Sequence, residues 1–181
     1  VVVWEMEKNQ DRFFAELKEK FEKLGIKAIL FDLDDTLIFT GELFVKYKEE
    51  FLVRVSTETG IDHEVLNEKL NRIDIEEYKR VGVNPERWRM TISRMSEELP
   101  QAEESLFSNL DILGKIYTDE PRLREGAKAI LQILRELGMK MALVTHANEA
   151  WTWRKLEATG LAEFFDVIKI VDENGHKGAD D

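Results

Sequence analysis

The sequence predicts an α/β fold, a parallel sheet whose strands alternate with helices, interrupted by a long helical insert. Three observations predict it. Near-continuous apolar runs at residues 26–33, 140–145 and 164–171 have the character of parallel strands covered on both faces. Helical periodicity separates the second run from the third and precedes the second, which is the alternation expected of right-handed βαβ crossovers. Between Leu37 and Pro121 the strand pattern stops, and some eighty residues keep helical spacing instead.

Each element has its own justification. At residues 9–24, Phe13, Phe14, Leu17, Phe21 and Leu24 recur at helical spacing and Gly25 supplies the stop, so this segment is an amphipathic helix packing on the core. The insert opens with a helix carrying Leu43, Tyr47, Phe51 and Val55, ended by Gly60. Asp62 then caps a second helix bearing Val65, Leu66, Leu70 and Ile73, which runs to Gly82. Asn84-Pro85 opens a third, with Trp88, Ile92 and Met95 inside, and Pro100 ends it. A fourth spans residues 101–117 through Leu106, Leu110 and Leu113, completing a small antiparallel bundle. After Pro121, Ala127, Ile130, Leu131, Leu134 and Leu137 mark a helix closed by Gly138. Another helix follows the second strand, at residues 149–158, and stops at Gly160.

Composition narrows the function classes. With 43% apolar residues the chain can bury a core, and its net charge of −11 repels nucleic acid and anionic membrane surfaces. A phosphate-bearing ligand would therefore need a local positive source. No cysteine is present, which removes thiolate chemistry and fits a reducing cytoplasm. No run approaches the roughly 18 apolar residues of a membrane span, so the sequence predicts a soluble cytoplasmic protein.

The chemistry concentrates where the first apolar run ends, in Phe31-Asp32-Leu33-Asp34-Asp35-Thr36-Leu37. Carboxylates at the C-terminal end of a parallel strand lie where open α/β sheets bind ligands. Asp32 suits a nucleophile that attacks a phosphoryl group to give an acyl phosphate. Asp34, two residues on, suits the general acid and base for the leaving group and the second-step water. Thr145 at the end of the second strand and Lys177 beyond the third supply a hydroxyl and an ammonium for the equatorial phosphoryl oxygens. A hard, oxygen-ligated ion, Mg²⁺ by preference, held by the Asp32 carboxylate and the Asp34 backbone carbonyl, would let an anionic nucleophile approach an anionic phosphate. Thr36 orders the loop and contacts the nucleophile, and His146 is a further candidate to touch substrate. Asp35 reads as an exposed turn residue, and Lys169 is the competitor of Lys177.

These motifs resemble those of the haloacid dehalogenase-like hydrolases, whose first motif is D-x-D-x-T after a strand. A Thr or Ser at the next core strand end and a Lys after the following strand complete the likeness, here Thr145 in LVTHAN and Lys177 in ENGHKG, where Gly178 stands in place of the proline that often follows. The resemblance implies a Rossmann-like core at residues 1–38 and 120–181, and a helical cap at 39–119 that closes over the site. It implies a Mg²⁺-dependent phosphatase acting on a small phosphorylated metabolite through an aspartyl-phosphate, since members that displace halide do not carry an acid at the position of Asp34. Two other readings stay open: a phosphomutase or phosphotransferase of the same family, and a truncated or degenerate non-catalytic binding module. The second arises because the family's fourth, acidic motif is expected on a strand after Lys177, and the sequence ends at Asp181. On this reading the sheet is incomplete at its C-terminal side, an exposed strand edge permits self-association, and turnover by the chain is weak or absent.

Overall fold

The computed structural model describes residues 2–171, with side chains from residue 13 onward. Lys177 lies outside the described residues. The chain opens with helix α1 (Val2–Leu24), which begins earlier than the sequence pattern indicates. Only part of its apolar stripe finds cover: Phe21 packs against the sheet's core, whereas Phe13 and Leu24 are exposed.

Three parallel strands follow, β1 (Ala28–Phe31), β4 (Lys140–His146) and β5 (Val167–Val171), in the order β1-β4-β5. Between β4 and β5 runs α8 (Glu149–Thr159), and α7 (Ala127–Glu136) leads into β4. The core forms where Ala127, Leu131 and Leu134 of α7 and Leu156 of α8 meet Met141 and Leu143 of the central strand, joined by Leu33, Leu37 and Ile38.

The sheet is not covered on both faces, as the apolar runs led one to expect. Leu30 of β1 is 72% exposed and Val167 of β5 57% exposed. The reason is topological. Successive crossovers that step β1 to β4 to β5 in one direction, with one hand, must lay α7 and α8 on the same side. Register then sorts the side chains: Leu30 pairs with Ala142, and Ala142 with Val167, so all three point away from those helices. Strand β1 is also shorter than the pattern suggested, because the chain leaves the sheet at Asp32.

Between core and insert lies a feature the sequence reading did not anticipate. Two-residue strands β2 (Ile38–Phe39) and β3 (Arg122–Leu123) pair antiparallel where the chain enters and leaves the insert. The guanidinium groups of Arg122 and Arg124 lie over the Phe39 ring at 4.1 and 4.3 Å, within cation–π range.

The insert comprises α2 (Thr40–Thr59), α3 (His63–Val81), α4 (Arg87–Glu98), α5 (Glu103–Ser108) and α6 (Leu110–Gly114), with 3₁₀ turns at Pro100–Ala102 and Lys115–Tyr117. Its own core gathers Tyr47, Phe51 and Val55, then Leu66, Leu70 and Ile73, then Trp88, Ile92 and Met95. Val65 falls outside that set and is exposed. Asp62 does cap α3, accepting from the Glu64 and Val65 amides at 2.9 and 3.3 Å. Asn84-Pro85 forms a turn, with Asn84 Oδ1 accepting from the Glu86 amide, and α4 starts only at Arg87. The fourth expected helix breaks at Asn109, which leaves helical geometry at φ −103°, ψ 6°. Its side-chain amide donates to the Ser105 carbonyl at 2.9 Å, the local competition with backbone that disfavours Asn inside helices.

Charged rows tie α3 to α4. Glu77, buried to 2% exposure, accepts from Arg80 and Arg94, and Glu98 accepts from Lys69 at 2.7 Å and Arg72 at 2.6 Å. Hydrogen bonds from Lys69 and then Arg72 hold the Glu98 carboxyl down at about 2, against an ordinary 4.5. A carboxylate whose folded pKa is depressed contributes stability above its unfolded value and loses it as pH falls toward the folded one. Glu98→Gln should therefore lower the urea midpoint at pH 7, and the gap from wild type should narrow between pH 4.5 and 2; a gap unchanged at pH 2 would refute the assignment.

Candidate active site

The site is built on the loop that follows β1. Leu33 is fully buried, and its carbonyl receives three amides, from Thr36 at 3.3 Å, Leu37 at 2.9 Å and Ile38 at 3.3 Å. The chain thus folds back around Leu33, and residues 32, 34, 35 and 36 are carried on a tight turn at the strand's C-terminal end. Asp35 takes the left-handed conformation, φ 56°, that the reversal needs and that Asp tolerates better than bulkier residues. It is exposed, as expected, yet well tied: its carbonyl accepts two bonds from Arg124, at 3.0 and 2.7 Å, and its Oδ1 accepts from the Gly41 amide at 2.9 Å. A Cβ on Gly41 would lie 3.1 Å from Asp35 Oδ2, so this approach depends on a residue without a side chain.

Asp32 is half-buried. Thr36, exposed, places its hydroxyl 3.5 Å from Asp32 Oδ2, at the outer limit of a hydrogen bond. Asp34 is held far more firmly. Its Oδ1 accepts from the Thr40 hydroxyl at 2.5 Å and from Lys155 Nζ at 2.5 Å. Lys155, on α8, is 1% exposed and its Nζ lies 3.9 Å from the centre of the Trp151 ring. Burial pulls its ammonium below the usual lysine range, and the charge of Asp34 opposes that pull.

Thr145 is buried at the end of β4. Because Phe31 pairs with Leu143 in parallel register, Asp32 and Thr145 stand one and two residues beyond that pair on the same rim of the sheet. His146 is half-buried beside it, and its Nε2 is enclosed with no hydrogen-bond partner among the described residues. Lys169 pairs with Val144 inside β5, one position short of Thr145 and so on the opposite face of the sheet. It is exposed there, which separates it from the Thr145 side chain.

Among the described residues, no three His, Cys, Asp or Glu side chains gather into a group able to hold a metal ion. The loop offers the Asp32 carboxylate and the Asp34 carbonyl. These fit a small hard cation, since Mg²⁺ commonly takes one or two carboxylates and completes its shell with water and substrate phosphate.

Two residues at this site escaped the sequence reading. Thr40 belongs to the insert's first turn and carried no motif. Lys155 did leave a signal: Trp151, Thr152, Lys155, Leu156 and Thr159 are the buried face of α8, so a lysine occupies an apolar stripe.

The model of the haloacid dehalogenase-like hydrolase family matches residues 26–180. The glyceraldehyde 3-phosphate phosphatase of Methanopyrus kandleri is 29% identical over 153 residues, 83% of this chain and 64% of that one. That of Pyrococcus abyssi is 31% identical over 158 residues, 84% of this chain and 62% of that one. The pyrophosphatase PpaX of Halalkalibacterium halodurans is 30% identical over 150 residues, 83% and 62% of the two chains. This chain thus spans less than two thirds of the length of these curated relatives. Among solved structures, a haloacid dehalogenase-like hydrolase from Xanthomonas campestris superposes with TM-score 0.68 at 18% identity, covering 81% of this chain and 61% of its own. A HAD phosphatase from Thermococcus onnurineus gives TM-score 0.51 at 20% identity, covering 80% of this chain and 62% of its own.

The Thr40 hydroxyl is buried against a charged acceptor, so Thr40→Val should lower unfolding free energy by about 1.5–3 kcal/mol. Urea titration measures it, and a loss under about 0.5 kcal/mol would mean that the bond is not made in solution.

Proposed function

Because this chain belongs to the haloacid dehalogenase-like hydrolases, we propose that it is a phosphatase that hydrolyses a small phosphorylated metabolite through an aspartyl-phosphate on Asp32. One observation carries the reading: Asp32 and Asp34 leave β1 on a single tight turn beside Thr145 at the end of β4. The phosphatase and pyrophosphatase names of the relatives support it.

The proposed chemistry balances with this chain's residues. An Asp32 carboxylate oxygen attacks phosphorus, the bond from phosphorus to the ester oxygen breaks, and Asp34 gives its proton to the departing alkoxide. Water then attacks the phosphorus of the aspartyl-phosphate while Asp34 takes a proton from it, the bond from phosphorus to the Asp32 oxygen breaks, and inorganic phosphate leaves. The Thr145 hydroxyl donates to a phosphoryl oxygen, with the Lys177 ammonium proposed beside it and His146 at the pocket edge. Mg²⁺, held by the Asp32 carboxylate and the Asp34 carbonyl, supplies charge neutralisation between nucleophile and substrate.

On the same reading the helical insert is a cap. It reaches the core through Phe44 and Tyr117, whose rings lie 6.1 and 4.7 Å from that of Trp151 on α8. Closure over the rim would exclude bulk water from the phosphoryl step. No helix among the described residues is long and apolar enough to cross a membrane; the cytoplasm is the proposed setting, on the cysteine-free composition.

Hydrolysis of p-nitrophenyl phosphate tests the proposal. Turnover by this chain is the readout. It should rise with Mg²⁺ and fall about 10³-fold or more in Asp32→Asn. Turnover that survives Asp32→Asn would rule out the aspartyl-phosphate route.

A further inference from the structure

We propose that Lys155 is a positioning residue for the reaction, fixing the Asp34 carboxylate in the orientation from which it serves the leaving group. The inference rests on the phosphatase reading and adds to it a residue of α8 that no part of the motif pattern includes.

Four observations carry it. The contact is direct, Nζ to Oδ1 at 2.5 Å, and spans 121 positions of sequence, so it is a product of the fold and not of local geometry. The lysine is 1% exposed while the Asp34 side chain keeps 25%, so the ammonium forms the enclosed side of the pair and the carboxylate the open side. Lys155 Nζ and Thr40 Oγ1 both bond Oδ1. Neither of these donors takes Oδ2, and pinning one oxygen of a planar carboxylate from two directions fixes where the other stands. Finally, Trp151 backs the ammonium with its ring at 3.9 Å, which stops the lysine from swinging away.

Stability alone does not account for the arrangement. Burying an ammonium is costly, and apolar side chains of similar volume in place of a buried ion pair are often no less stable. Lys155 faces a second cost, since its stripe otherwise packs Trp151, Thr152 and Leu156. What the charge adds is direction. A general acid is effective only within hydrogen-bond reach of the atom it protonates, and small displacements cost rate.

The test compares two esters in the full chain: glycerol phosphate, whose alkoxide cannot leave without a proton, and p-nitrophenyl phosphate, whose phenolate can. Lys155→Met should lower kcat on glycerol phosphate about tenfold or more and on p-nitrophenyl phosphate less than about threefold, with little change in KM. In an Asp34→Asn background the same substitution should cause no further loss. Lys155→Gln, which keeps a donor without the charge, carries the same comparison should the Met variant not fold. Equal losses on both esters, or a loss that persists beside Asp34→Asn, would overturn the proposal. Turnover of either ester that survives Asp32→Asn removes the aspartyl-phosphate reading itself, a result recognisably different from a Lys155 variant that fails to discriminate.

Discussion

The Asp34 carboxylate is the point on which three separate segments close. Its own loop comes from β1, Thr40 opens the insert's first helix, and Lys155 arrives from the crossover after β4. An ion pair with one partner at 1% exposure is not a surface ornament. Removing one member of such a pair leaves an uncompensated charge and typically costs about 3–5 kcal/mol, whereas the pair as a whole need not stabilise at all. The arrangement is therefore better understood as specifying a geometry than as adding stability, and the geometry it specifies is that of the turn bearing Asp32.

Helix α8 does this because its buried face serves three neighbours at once. Trp151 joins the insert's apolar cluster, Leu156 joins the sheet's, and Lys155, between them on the same stripe, reaches the loop. Any motion of the insert that displaces Phe44 or Tyr117 from Trp151 is thus felt one helical turn away from the ion pair. The small ribbon of β2 and β3 limits the other side of the same junction, since Arg124 bridges from the ribbon's end to the Asp35 carbonyl. Core and insert meet at both of these places, and Thr40 and Gly41 of the insert also bond the loop after β1 directly.

Much of this was legible in the sequence, and the reasons are physical. Apolar runs ending in polar residues marked the three strands, because a strand covered by helices must be apolar until the chain turns out. The boundaries and order of the insert's first helices followed from period and caps, as with Asp62. Other features were not legible, three of them for reasons that can be named. An apolar run does not say which face will be covered, and strand order, fixed only in the fold, left Leu30 and Val167 uncovered. The break at Asn109 depends on a side-chain bond to Ser105 that competes with an otherwise good helical period. The role of Lys155 needed a contact across 121 residues; the sequence carried only the anomaly of a lysine in an apolar stripe.

Charge sets the remaining constraint. A chain with net charge −11 repels a phosphate ester at long range, and the loop itself places Asp32, Asp34 and Asp35 within four residues. Lys155 does not offset this for a substrate, because its ammonium is enclosed and already bonded to Asp34. What it offsets is the loop's own repulsion: pairing with Asp34 leaves the neighbouring carboxylates less like charge to face. On the phosphatase reading, attraction for the phosphate would then come from cations free to bind it, the proposed Mg²⁺ at Asp32 and the proposed Lys177 ammonium, where a buried lysine cannot serve. The positive charges are in this view not interchangeable, Lys155 holding the acid in place and the others admitting the substrate.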